Sequence, residues 1–205
     1  MTVPTGSEAV PRASGASTDG ARERILGTAY DLFSREGVQT VGVDRIVAEA
    51  GVAKATLYRH FRSKDALILA VLERREHLWT HSWLEHEIDQ RGKTPEARLL
   101  AVFDVFDEWF NRDDYESCLF IKTLLETHDP TSRVRQDAVS RLANVRVLLH
   151  RLAEQVGVRD PDNFSCAIQQ QMMGSIVAAS TGDTQAAKRA RDVALLLLER
   201  ETAAS

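Results

Sequence analysis

The sequence predicts an all-α protein of about nine helices. Large apolar residues recur every three or four positions in successive segments, the spacing that places side chains on one face of a helix. Glycine follows several of these segments and a Thr-Pro pair precedes another, which are typical signals for the end and the start of a helix. No convincing alternation of apolar and polar residues, which would indicate strands, and no internal repeat is evident.

The composition is that of an ordinary globular protein. With 205 residues, 43% hydrophobic and 27% charged, the chain can bury a sizeable core in one or two domains. There is no run of 18 apolar residues, so we expect no membrane span. The N-terminus lacks the basic and apolar regions of a secretory signal, which predicts a cytoplasmic protein. The two cysteines, Cys118 and Cys166, are too few for a disulfide framework and are expected to be reduced.

The chain is predicted to begin with a disordered tail and one long helix. Residues 1–18 are rich in small and polar residues and contain almost no large apolar side chain, so they cannot offset the entropy of ordering. The first helix is predicted from about Asp19, which suits an N-cap, to Glu36, and Gly37 ends it. Its apolar stripe is expected to cover the next two helices: Ile25, Leu26, Ala29, Leu32 and Phe33.

Two short helices around a glycine are predicted between Val43 and Lys64. One face of the first helix is apolar: Val43, Ile46, Val47 and Ala50. Gly51 ends that helix because glycine readily adopts the left-handed conformation that lets the chain enter the next helix within a few residues. In the second helix Leu57 and Phe61 are predicted to point inward. Its outer face carries cations, hydroxyls and an imidazole: Lys54, Thr56, Tyr58, Arg59 and His60.

This outer face suggests contact with nucleic acid. Its residue types reach phosphates and base edges in a DNA major groove, which is wide enough to admit a helix. Residues 21–64 carry eight Lys or Arg and five acidic residues, whereas residues 65–205 carry 17 and 23. A basic end on an acidic body suits a protein that brings one surface to a polyanion. The alternatives are a solvated face for Arg59 and His60, and packing of Tyr58 against the next helix.

Six more helices are predicted after this motif. Ser63 caps a long helix that has Lys64 in its first turn and runs to about Ile88. Thr94 and Pro95 open a helix with the densest group of aromatic residues. Four further helices follow, with approximate bounds Tyr115–Thr127, Thr131–Val156, Pro161–Ser180 and Thr184–Arg200.

The stretch from Thr40 to Leu69 resembles the TetR (tetracycline-repressor-like) family of bacterial transcriptional regulators. The turn glycine Gly51, the pair Leu57-Tyr58, the aromatic Phe61 and the lysine Lys64 fall at the family's spacing. The resemblance implies that the second motif helix lies in the DNA major groove. It implies groove-facing positions at Lys54, Ala55, Tyr58, Arg59 and His60, and phosphate contacts from Thr56, Tyr58 and Lys64.

Two positions depart from the family's pattern. Position 53 is often Ser in the family and is Ala here, and position 42, often Ser or Thr, is Gly. Both motif helices are therefore expected to be lightly capped. Lys64 opposes the dipole at a helix N-terminus, which a phosphate contact would explain better than a structural role. Arg45 on the first motif helix is either solvated or bound to phosphate.

A small-molecule pocket is predicted in the second domain. The resemblance implies such a pocket in the C-terminal helices, and the candidate lining residues are aromatic, polar or flexible: Trp79, Trp83, Phe103, Phe106, Trp109, Phe110, Phe120, Gln169, Met172 and Met173. The alternative is that the aromatic residues form a plain core. His77, His81 and Glu85 share the spacing of metal ligands, which also arises by chance on amphipathic helices, so no metal site is assigned.

A homodimer is predicted through the last two helices. The last helix is apolar on all sides between Val193 and Leu198, so one side is expected to meet its own domain and another side a second subunit. Two recognition helices about 34 Å apart can read both halves of a palindrome, whereas one short helix contacts only a few base pairs. The family resemblance implies the same pairing.

The sequence therefore predicts three segments and one function. These are a tail at 1–18, a helix-turn-helix DNA-binding domain at 19–64, and a helical ligand-binding and dimerisation domain at 65–205. The predicted partners are double-stranded DNA and a small-molecule effector of unknown identity, and the function is that of a ligand-responsive repressor without a cofactor. The alternatives are a helical enzyme, for which no catalytic constellation is found, and a small-molecule- or metal-binding module that does not bind DNA.

Overall fold

The computed structural model describes residues 18–202, and its regular structure is helical throughout this range. The helices are α1 Thr18–Glu36, α2 Val43–Ala50, α3 Lys54–His60, α4 Lys64–Arg75, a π-helical segment Glu76–Leu84, α5 Glu85–Arg91, α6 Pro95–Phe110, α7 Leu119–Glu126, α8 Arg133–Val156, α9 Pro161–Ser180 and α10 Ala186–Thr202. Because α4, the π-helical segment and α5 follow one another without a break, the described residues form nine helical rods. This confirms the prediction of an all-α protein with about nine helices. The predicted tail lies outside the described residues apart from Thr18, where α1 begins.

The described residues fold into two compact units. Unit 1 comprises residues 18–79 and 118–141, and unit 2 comprises residues 80–117 and 142–202. The helix-turn-helix motif therefore shares its unit with α4, α7 and the first part of α8. The domain boundary at residue 64 that the sequence suggests stays a prediction.

The core of unit 1 is built around α1. Ile25, Ala29 and Phe33 are completely buried on one face of α1, which contacts α2, α3 and α4. Ile46 of α2 and Leu57 of α3 are also completely buried. A helix of seven or eight residues is not stable in water by itself, so α2 and α3 depend on this burial for both their existence and their position.

The helix starts show which caps the chain possesses. The Ser63 hydroxyl accepts a hydrogen bond from the Ala66 amide at 3.0 Å, and the Thr94 hydroxyl accepts one from the Ala97 amide at 3.2 Å. These two predicted caps are confirmed. Gly42 and Ala53 occupy the N-cap positions of α2 and α3 and provide no side-chain hydrogen bond, which confirms that both motif helices are lightly capped.

One predicted helix begins too early. The sequence indicated helix from Tyr115, but α7 starts at Leu119, and Ser117 has a positive φ of 66°. Within unit 2, Tyr115 packs edge-on against Trp109 at 5.0 Å and donates a hydrogen bond to the Ile176 carbonyl at 2.9 Å. Because these contacts fix Tyr115 outside a helix, tertiary packing overrides the local helical pattern.

Replacing Ala53 with Ser is expected to raise the free energy of unfolding by about 1 kcal/mol, because a serine hydroxyl at an N-cap accepts a hydrogen bond from an amide in the first turn of the helix. Ala53 has extended backbone angles, φ −73° and ψ 148°, which suit that role. Urea denaturation followed by circular dichroism measures the change. Ala48→Ser, at an exposed position inside α2, is the control and should give no gain. A gain of the same size in both variants would contradict the capping explanation.

Candidate DNA-binding surface

The turn between α2 and α3 is fixed by backbone hydrogen bonds around Gly51. Gly51 has φ 63° and ψ 41°, a left-handed conformation that closes the end of α2. Its amide donates to the Ala48 carbonyl at 3.3 Å, and the Val52 amide donates to the Val47 carbonyl at 3.1 Å. The helix α3 therefore begins only three residues after this turn, with a defined direction.

The two sides of α3 differ sharply in burial. Leu57 is completely buried and Phe61, which follows the helix, is 4% exposed. The opposite side presents Lys54, Ala55, Tyr58 and Arg59 to solvent, with 42% of Tyr58 exposed, while Thr56 and His60 are half-buried. Four of the residues predicted to face DNA are thus exposed together on α3, and the individual roles of all of them stay predictions.

Two of the predicted DNA-binding cations are already paired with carboxylates. Lys54 Nζ lies 2.7 Å from Asp44 Oδ1, and Arg45 Nε lies 2.8 Å from Glu49 Oε1. Arg45 also donates to the Glu36 carboxylate. The hydrogen bond to Asp44 raises the pKa of Lys54, and those to Glu36 and Glu49 raise the pKa of Arg45, so both groups stay cationic. To contact either cation, a DNA phosphate would have to displace its carboxylate partner.

Lys64 lies in a different environment from the other cations. It is half-buried, and its Nζ donates to the Gln39 carbonyl at a long distance of 3.4 Å. Burial lowers the pKa of its ammonium group, against the opposing effects of Asp65 and Glu126. The side chain of Lys64, which is predicted to contact a phosphate, is therefore hydrogen-bonded to the connection between α1 and α2.

Several carboxylates of this surface were missed by the sequence analysis. Glu49 follows Arg45 by four residues, a spacing that could have indicated the pair. Glu36 and Asp44 reach their partners across a loop or a turn, and no local pattern signals this. Arg22 of α1, also missed, stacks on the Phe61 ring at 5.2 Å.

The predicted pocket residues are mostly buried, and many pack on one another. In unit 2 the rings of Phe106, Trp109 and Phe110 have centroid distances of 5.4 to 5.6 Å, and Gln169 donates to the Leu142 carbonyl at 2.6 Å. Trp83, Phe103 and Met172 in unit 2, and Trp79 and Phe120 in unit 1, are likewise buried, while Met173 is half-buried. This packing is that of an aromatic core, and the assignment of these residues to a pocket stays a prediction.

Unit 2 contains a cavity that the sequence analysis did not find. Its volume is about 390 Å³, and its lining combines apolar, polar and charged side chains: Glu85, Ile88, Asp89, Arg98, Leu148, Arg151, Leu152 and Gln155. None of the ten predicted pocket residues is among them. Its lining comes from the consecutive helices α5 and α6 and from α8, which is distant from them in the sequence, so no single local pattern reveals it.

The histidine spacing noted in the sequence falls in an unusual part of the fold. His77 and His81 lie in the π-helical segment, and His81 Nδ1 lies 2.8 Å from Glu85 Oε1. Within the described residues no group of three or more His, Cys, Asp or Glu side chains is arranged to hold a metal ion. Across the same residues, no helix has both the length and the apolar character of a membrane span.

Comparison with known proteins shows that the region containing α2 and α3 is similar to a family of regulatory proteins. Residues 25–71 match the model of the bacterial regulatory proteins of the tetR family, and these residues include α2 and α3. A TetR-family transcriptional regulator of Streptomyces coelicolor has a similar structure, with a TM-score of 0.80 and 26% sequence identity. That similarity covers 90% of this chain and 97% of the other.

Two curated relatives match over shorter regions. YerO, an HTH-type transcriptional regulator of Bacillus subtilis, is 28% identical over 105 residues, which are 51% of this chain and 36% of the relative. An HTH-type transcriptional regulator of Staphylococcus aureus is 43% identical over 53 residues, which are 26% of this chain and 29% of the relative. The chain thus spans about a third of the curated relatives it matches. The matched family is one of regulatory proteins rather than enzymes. Residues 25–71 therefore carry the DNA-binding region of the tetR family of bacterial regulatory proteins, and the described fold resembles that of a TetR-family transcriptional regulator.

Proposed function

We propose that the protein is a cytoplasmic transcriptional repressor that binds a palindromic operator as a homodimer and is released by a small molecule. The observation that carries this proposal is the exposed polar face of α3, held in place by the buried Leu57 behind the Gly51 turn. A helix of this kind fits a major groove, where side chains reach base edges and the flanking backbone phosphates.

The side chains of α3 divide into two kinds of contact. Arg59 is exposed near the C-terminal end of the helix, and a guanidinium donates to two acceptors of guanine at once. Thr56 and Tyr58 carry hydroxyls that suit phosphate oxygens, and Lys64 adds a charge at the start of α4. Phosphate contacts orient the protein on any duplex, whereas contacts to base edges select a sequence.

The surface of α10 supports a dimer. Ala194 and Leu198 are buried within unit 2, where α10 contacts α6 and α9. Leu196 is 65% exposed and Val193 is 38% exposed on the same helix, and Val177 of α9 is 51% exposed. Apolar side chains of this size on two adjoining helices favour burial against a second subunit.

Release by an effector would follow from differential binding. The dimer would have two arrangements, and in one of them the spacing of the two recognition helices would not fit the operator. A small molecule that binds this arrangement more tightly would lower the affinity for the operator, and the operator would favour the other arrangement. The cavity in unit 2 has a volume within the range of small-molecule sites, roughly 300 to 1,000 Å³.

Selection of bound sequences from a random duplex pool is the direct test of this function, and the proposal predicts a palindrome. Arg59→Ala is expected to lower the ratio of the affinity for the selected duplex to the affinity for a random duplex by about tenfold, because it removes a contact to base edges. Lys64→Gln is expected to weaken binding to all duplexes alike. It is also expected to reduce the slope of log affinity against log salt concentration by about one, because one phosphate contact is lost. Lys93→Gln, which removes an exposed charge in unit 2, is the control. Equal effects of Arg59→Ala on both duplexes would contradict its assigned role.

Leu196→Glu is expected to convert the dimer into a monomer at micromolar concentration, because it places a charge in the apolar contact. Sedimentation velocity measures the change, and binding to the palindrome should fall while circular dichroism stays unchanged. Leu125→Glu is a matched control, since Leu125 of α7 is also 65% exposed and lies outside the proposed interface. A wild-type protein that sediments as a monomer would refute the proposed dimer.

A further inference from the structure

Two charged side chains of α7, Lys122 and Glu126, contact the backbone of the DNA-binding motif. We call them the α7 pair. Lys122 Nζ donates to the Ser34 carbonyl at 2.7 Å and to the Arg35 carbonyl at 3.3 Å. Glu126 Oε2 accepts a hydrogen bond from the Gln39 amide at 2.9 Å. All these groups belong to unit 1.

Lys122 stabilises the C-terminal end of α1. The last four carbonyl groups of a helix lack partners within the helix and carry the negative end of its dipole. Ser34 and Arg35 lie in this last turn, since α1 ends at Glu36. An ammonium group that bridges two of these carbonyls satisfies them with charge-assisted hydrogen bonds. The end of α1 is thereby tied to α7.

Glu126 holds the connection that follows. Gly37 has φ 89°, and a Cβ at this position would collide with the Glu126 carboxylate, so the glycine provides both the conformation and the space. Val38 and Val41 of the same connection are buried at 0% and 1% exposure. The connection leads directly to the start of α2, so its position determines where α2 begins.

The structure assigns to the α7 pair a positioning role for the DNA-binding motif: Lys122 and Glu126 fix the end of α1 and the connection to α2, and thereby the placement of α2 and α3. This inference rests on the proposed function for its effect on DNA. A recognition surface needs supporting residues that hold it in place, and both side chains contact backbone rather than belonging to the exposed face of α3. They lie one helical turn apart on α7.

The test compares Lys122→Met and Glu126→Ala with the wild type. Both variants are expected to bind the duplex selected from the random pool about tenfold more weakly, which corresponds to about 1.4 kcal/mol. Their salt dependence is expected to stay unchanged, because no phosphate contact is lost. The two substitutions change the net charge in opposite directions. A purely electrostatic effect would therefore weaken binding by Lys122→Met and strengthen it by Glu126→Ala, which would overturn the assignment.

Conservative variants and charge controls make the test specific. Lys122→Arg keeps a cationic donor and Glu126→Gln keeps an oxygen acceptor, so both are expected to stay within about threefold of the wild type, a difference below 1 kcal/mol. If Lys122→Met or Glu126→Ala fails to fold, DNA binding and amide exchange are measured on these conservative variants instead. Lys93→Met and Glu73→Gln, at exposed positions, control for the change in charge.

Amide hydrogen exchange tests the positioning role without DNA. In Lys122→Met and Glu126→Ala, exchange is expected to accelerate across residues 37–50, and in Glu73→Gln it is expected to match the wild type. Unchanged exchange in both variants would overturn the assignment even if DNA binding weakened. If the wild type shows no salt-dependent binding to any duplex, the proposed function fails, and the exchange measurement still decides whether the α7 pair holds the motif.

Discussion

The burial of α3 against α1 is the constraint on which the DNA-binding surface depends. The seven residues of α3 are too few for a stable isolated helix, and its N-cap residue is an alanine without a capping hydrogen bond. Leu57 compensates because its side chain is completely buried and α3 packs against α1. The direction of the exposed face is therefore set by packing on α1 rather than by the helix itself. Whatever moves α1 also moves the surface presented to DNA.

The polar contacts of unit 1 support the same core. The buried guanidinium of Arg75 donates to the Tyr30 hydroxyl at 2.9 Å and lies over the Trp79 ring at 5.6 Å. Arg141, in the first half of α8, pairs with the buried Glu76 and with Asp137. A buried charge is costly unless it is paired or hydrogen-bonded. These contacts extend the core from α1 to α4 and α8, so the small motif gains from a unit larger than its own three helices.

Local signals predicted most of the helices but few of the contacts between them. Pro161 and Ser180 bound α9 where the sequence placed them, and the Gly51 turn has the expected left-handed conformation. The π-helical segment was not predicted. The non-helical backbone before Leu119 was not predicted either, because it depends on the contacts of Tyr115 with Trp109 and Ile176. The partner of Gln39, 87 residues away in the sequence, leaves no local pattern at all. The aromatic cluster shows the same limit, since the spacing of Phe106, Trp109 and Phe110 is equally compatible with a core or a pocket lining.

The carboxylates around the recognition surface change how its affinity arises. Lys54 and Arg45 have internal anionic partners, so a phosphate contact at either cation replaces an ion pair rather than creating one. Asp44 and Glu49 remain exposed on α2, where they would repel a poorly placed phosphate backbone. Non-specific attraction to DNA is weakened on both counts, and a larger share of the affinity must come from base contacts. A surface of this kind depends on the accurate position of α3, because base contacts tolerate displacement less well than the long-range attraction of unpaired charges.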